Sequence, residues 1–154
     1  MTASTGLSVL ADGDYDPGAS GLLTFDGAGN WGGQVGDNYG AVTITSAGVV
    51  PQNAWVTGLL TITGVTFAIG ANDLGSDGIT GTGTLDASGG GNVATSAGLT
   101  TTGYTNGAGT LTFNGTGNWS GAGPFGAVVV ANGTVTVSAG TVPTTTLNIT
   151  NGTL

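Results

Sequence analysis

The chain is predicted to be all-β, an antiparallel β-sandwich or small barrel built from two internally duplicated β units. Three observations support this: period-two alternation of apolar residues with threonine, turn-forming residues every ten or so positions, and almost no good helix formers. The 154 residues include no Lys, Arg or Glu, and only Gln34 and Gln52 among the long polar residues that favour helices. Glycine accounts for 33 positions, while the apolar fraction of 38% arrives in ordered runs that can build a core. The length suits a single domain spanning 1–154.

The elements follow in order. Leu23 and Phe25 alternate with Thr24, and Val42 and Ile44 alternate with Thr43 and Thr45. Leu60 and Ile62 alternate with Thr61 and Thr63, and Val65, Phe67 and Ile69 continue the pattern. Leu111 and Phe113 flank Thr112, and Val135 and Val137 flank Thr134 and Thr136. Such spacing places the apolar set against a core and the threonines on a wet face. Asn132-Gly133, between Val128–Ala131 and Thr134–Val137, has the chemistry of a type I′ hairpin turn. Asp26–Asn30 and Asn114–Asn118 read as turns joining a Phe-bearing strand to a Trp-bearing one.

A duplication organises the chain. LTFDGAGNWGG at 23–33 and LTFNGTGNWSG at 111–121 agree at eight of eleven positions. Later landmarks repeat in the same order: Gly40-Ala41-Val42 with Gly126-Ala127-Val128, Ser46-Ala47-Gly48 with Ser138-Ala139-Gly140, and Leu60–Thr63 with Leu147–Thr150. The related units cover about 20–64 and 108–154, and a Gly-rich middle at 65–107 carries a third Ser-Ala-Gly at 96–98. A β-solenoid is the competing architecture. The Thr-x-Thr pairs beginning at 43, 61, 82, 110 and 134 are unevenly spaced, and that argues for the sandwich or barrel.

The charge inventory restricts function. Eight Asp against no cationic side chain gives a net charge of −8. Nucleic-acid binding needs cations to displace counterions from phosphates, and attachment to an anionic membrane surface fails for the same reason. Without His, Lys or Cys, most acid–base and nucleophilic catalysis is out of reach, so no enzyme is expected. The absence of Cys and His also excludes disulfides and the usual zinc ligands. The first ten residues lack the charged and apolar regions of a signal peptide, which leads to the expectation that the chain is used uncleaved.

Candidate sites are few. Asp12, Asp14 and Asp16 alternate ahead of Pro17-Gly18, and carboxylates so spaced in a loop can converge on Ca²⁺; the alternative is a solvated acidic loop. Asn72, Asp73 and Asp77 form a second such cluster. Trp31 and Trp119 hold equivalent places in the two units, either as exposed aromatics for an interface or a glycan, or as core residues beside Phe25 and Phe113. Asn-x-Ser/Thr sequons begin at Asn114, Asn118, Asn132, Asn148 and Asn151. The threonine-rich strands also raise an ice-binding face, which would require evenly spaced ranks.

The two LTF-x-G-x-G-N-W segments resemble bacterial β-meander proteins with an F-D-G-x-G-N hairpin. Val128–Leu154, with NGTVTVSAGT and LNITNGTL, is similar to the Gly/Thr-rich repeats of autotransporter passengers. In its small, acidic, Gly/Ala/Thr/Val-rich style the chain also resembles head-decoration and fibre proteins of tailed phages. These resemblances supply no catalytic residues. The expectation they leave is a structural protein of a virion surface (capsid decoration, cement or fibre subunit), partnered by itself and by other capsid or surface proteins. The alternative is a secreted bacterial or archaeal filament, sheath or adhesin subunit assembling by β-strand addition. A third is a carbohydrate-binding module using the Trp pair.

Overall fold

A computed structural model describes residues 1–5, 21–32, 39–52, 58–137 and 145–154. Among these the chain is all-β, as expected, but every strand pairing is parallel. The architecture is a parallel β-solenoid. The antiparallel sandwich or barrel is therefore corrected, and the reason is physical. Alternation reports that a strand has one buried face; it carries no information on the direction of its neighbour.

The strands run β1 (Thr2–Ala3), β2 (Leu22–Phe25), β3 (Gly29–Gly32), β4 (Ala41–Ile44), β5 (Val49–Gln52) and β6 (Leu59–Ile62). They continue with β7 (Thr66–Ala68), β8 (Leu74–Ser76), β9 (Gly78–Ala87), β10 (Val93–Thr95) and β11 (Gly98–Asn106). The last four are β12 (Thr110–Phe113), β13 (Gly117–Ala122), β14 (Ala127–Val137) and β15 (Thr146–Thr153). Parallel neighbours need a long crossover between them. Here the crossover is the remainder of a turn, itself made of strands: β6 reaches its neighbour β9 by way of β7 and β8.

Each full turn contributes to three ladders. The first stacks β1, β2, β4, β6, the start of β9, the start of β11, and β13. The second pairs β3 with β5, and β7 with the later part of β9, which is followed by the later part of β11. The third stacks β8, β10, β12, the start of β14, and β15. The long strands β9 and β11 serve two ladders, and the register between them shifts at Thr101–Gly103, where the strand bends from one ladder to the next.

The core is a set of in-register columns. Leu23, Val42, Leu60, Ile79 and Leu99 lie one above another, all at most 1% exposed. On the third ladder Leu74, Val93, Leu111 and Val128 stack in the same way, all at most 2% exposed. Burying such columns supplies the apolar stabilisation, on the order of 25 cal/mol per Å² removed from water.

The proposed Asn132-Gly133 hairpin is absent. Ala127–Val137 is one continuous strand, and Gly133, with φ of +75°, lies at a bend within it. A Cβ on Gly133 would strike the carbonyl carbon of Gly115 in the turn above, so glycine is required for close stacking rather than for chain reversal. The Asp26–Asn30 segment likewise joins a Phe-bearing to a Trp-bearing strand, but as a corner. Its flanking strands β2 and β3 pair with β4 and β5, not with each other.

Candidate functional surface

Trp31 and Trp119 are buried, at 0% and 1% exposure. Phe25 and Trp31 lie 5.2 Å apart at 39°, and Phe113 and Trp119 lie 5.3 Å apart at 43°. Each indole also meets a second ring edge-on, Tyr39 at 5.2 Å and Phe125 at 4.9 Å. The duplicated motif therefore rebuilds one aromatic corner twice. Of the two roles open to this pair, core packing beside Phe25 and Phe113 is the one observed, and neither indole face is open to a sugar or a partner.

Asp12, Asp14 and Asp16 lie outside the described residues. In the second acidic cluster the groups bind neighbouring turns rather than converging. Asn72 donates its side-chain amide to the Pro51 carbonyl at 2.6 Å. The Asp73 carboxylate accepts both the backbone N–H and the side-chain amide of Asn92, each at 2.9 Å, and Asn92 in turn accepts the backbone N–H of Thr110 at 3.0 Å. These side chains staple successive turns at a corner. Among the described residues no three His, Cys, Asp or Glu come together as a metal site. The sequon asparagines Asn114, Asn118, Asn132, Asn148 and Asn151 are all exposed, and Asn132 and Asn151 are register partners.

Two surfaces remain with a definite organisation. The first is the edge formed by β15. Its residues Leu147 and Ile149 continue the columns of Val128 and Val130, which are at most 1% exposed. Yet Leu147 and Ile149 are 41% and 45% exposed, because among the described residues β15 pairs with β14 on one side only. Apolar side chains and a row of backbone hydrogen-bonding groups thus share one edge.

The second is the outward side of the first ladder. Thr24, Thr43, Thr61, Thr80, Thr100 and Ser120 are consecutive register partners, 18 to 20 residues apart. The uneven spacing expected from the sequence arose from counting threonines of different ladders together: Thr110 belongs to the third, while Thr43, Thr61 and Thr80 belong to the first. Two positions further along each turn stand Thr45, Thr63, Thr82 and Thr102, all exposed.

No family model matches the sequence, and no curated protein or solved structure matches it either.

Proposed function

We propose that the chain is a non-enzymatic structural and assembly module of an exposed biological surface, extended by β-strand addition at the β15 edge. The observation that carries this is the half-exposure of Leu147 and Ile149 on core-facing positions, beside a strand edge with no pairing among the described residues. The occupant that fits is a second copy of the chain. An added strand would complete the main-chain hydrogen bonds and cover both side chains, which is the chemistry of β-augmentation. Such a head-to-tail contact is heterologous and builds open filaments rather than closed rings.

A solenoid is quasi-one-dimensional, each turn touching only its neighbours. That shape suits a fibre, filament or adhesin subunit better than a compact decoration or cement protein. Of the two settings, the extracellular filament or adhesin is favoured by strand-edge growth, and a virion fibre is the second. The charge of −8 per copy opposes association, so added salt should promote it.

The test is light scattering on the purified chain across a range of concentration and salt. Mass growing with both supports the proposal, and Ile149→Asp should abolish growth while leaving the far-ultraviolet circular dichroism unchanged. A chain that stays monomeric at every concentration and salt level refutes it. A closed oligomer of fixed size would replace the filament with the virion-fibre setting.

A further inference from the structure

We propose that the outward face of the first ladder binds ice. The ligand is the surface of a growing ice crystal, and the contact is made by ranks of paired threonines on four successive turns. This goes beyond the assembly proposal and does not depend on it.

Solenoid geometry sets the array in two dimensions. Register pairing places Thr43, Thr61, Thr80 and Thr100 in one column, on strands stacked about 4.8 Å apart along the coil. Thr45, Thr63, Thr82 and Thr102 follow two residues further on, exposed at the corner where β4 and β6 end and the register of β9 and β11 shifts. There the Thr45 hydroxyl donates to the Phe25 carbonyl at 3.1 Å and the Thr82 hydroxyl accepts the Gly64 N–H at 3.2 Å. The turn-to-turn repeat is close to an oxygen spacing on a prism plane of ice. A threonine presents a hydroxyl and a methyl together, so the face offers anchoring hydrogen bonds separated by small apolar patches on which water can order.

The array is also rigid and uncharged. Threonine is stiff at χ1, and the Thr100 hydroxyl donates to the Thr80 hydroxyl at 3.0 Å, fixing one row along the coil. Little side-chain freedom is then lost on binding. The ranks from Thr43 to Thr102 carry no ionic side chain; Asp26 borders the array in the preceding turn.

An internal control separates this pattern from mere strand preference for threonine. The equivalent outward column of the third ladder is stacked in the same way, yet reads Gly75, Ala94, Thr112, Val129 and Asn148. The second ladder places Ala68, Asp86 and Thr105 in register. The second ladder also pairs Thr66 with Thr84, but Gly103 follows them, so among these columns the hydroxyl recurs over four turns on the first ladder.

The test uses the full chain at concentrations below any assembly. Ice-affinity partitioning and inhibition of ice recrystallisation are measured for the natural chain and for Thr63→Tyr, Thr45→Tyr and Thr66→Tyr. Thr63 and Thr45 are exposed within the array; Thr66 is equally exposed on the second ladder. The expected result is enrichment of the natural chain and of Thr66→Tyr in the ice fraction, and loss of enrichment in the two array variants. Circular dichroism establishes folding, and either array variant suffices if the other fails to fold. Exclusion of the natural chain from ice overturns the proposal, as does undiminished partitioning of a folded array variant.

Discussion

Leu60 and Leu147 are equivalent positions of the duplicated unit, and truncating each to alanine probes how burial rather than sequence sets the cost. Leu60 is fully buried between Val42 and Ile79 in its column. Leu60→Ala removes the equivalent of three methylenes, about 2.4 kcal/mol of transfer free energy at about 0.8 per methylene. The cavity between two fixed turns adds to this, for a total of about 3–4 kcal/mol. Leu147 has Val128 on one side, and 41% of it already meets water. Leu147→Ala therefore forfeits only about 1.4 kcal/mol of transfer and leaves no enclosed cavity. Urea unfolding of dilute chain, followed by fluorescence of the buried Trp31 and Trp119, measures both losses. Equal losses would refute the reasoning, since they would mean that β15 is as well covered as β6 in solution.

Other outcomes follow from single contacts. Gly133→Ala places a methyl group against the Gly115 carbonyl at a φ of +75°, and should lower stability by at least about 2 kcal/mol in the same unfolding experiment. Tyr104 is buried beside Phe125, its hydroxyl has no hydrogen-bond partner among the described residues, and burial pushes its pKa well above the usual tyrosine value. Tyr104→Phe should therefore leave stability unchanged or raise it by about 1 kcal/mol. The same shift has a pH signature. The unfolded chain releases the Tyr104 proton near the ordinary value of about 10 while the folded chain holds it, so stability falls as pH rises above about 10. An alkaline titration of the natural chain should show that fall, and Tyr104→Phe should reduce it. Thr100→Val removes a hydroxyl pair on a half-exposed surface and should cost under about 1 kcal/mol by thermal melting.

The strands were legible in the sequence because alternation of apolar residues and threonine marks a half-buried strand directly. Leu23, Phe25, Val42, Ile44, Leu60 and Ile62 are all fully buried. Strand direction was not legible, because a parallel and an antiparallel neighbour make the same demand on side chains. The duplication nonetheless held the register. The landmarks Leu23, Val42 and Leu60 are stacked partners, as are Leu111, Val128 and Leu147. Their separations of 17 to 19 residues are the solenoid turn, seen in the sequence only as an ordered list. The Trp pair was ambiguous because a Gly-rich corner can turn an indole either way, and packing against Phe25 or Phe113 decides it. The Thr array was obscured because threonines of three ladders interleave along the chain, and only register pairing sorts them.

The duplicated unit repeats after 88 residues, which is not a whole number of turns. Its first LTF lies on the first ladder and its second on the third. Copying the unit has thus rotated its pattern about the coil axis by one side. A longer chain made of such units would not carry one uniform stripe along its length. Each surface motif would wind around the rod like the thread of a screw, offering the same chemistry in several directions to whatever surrounds it.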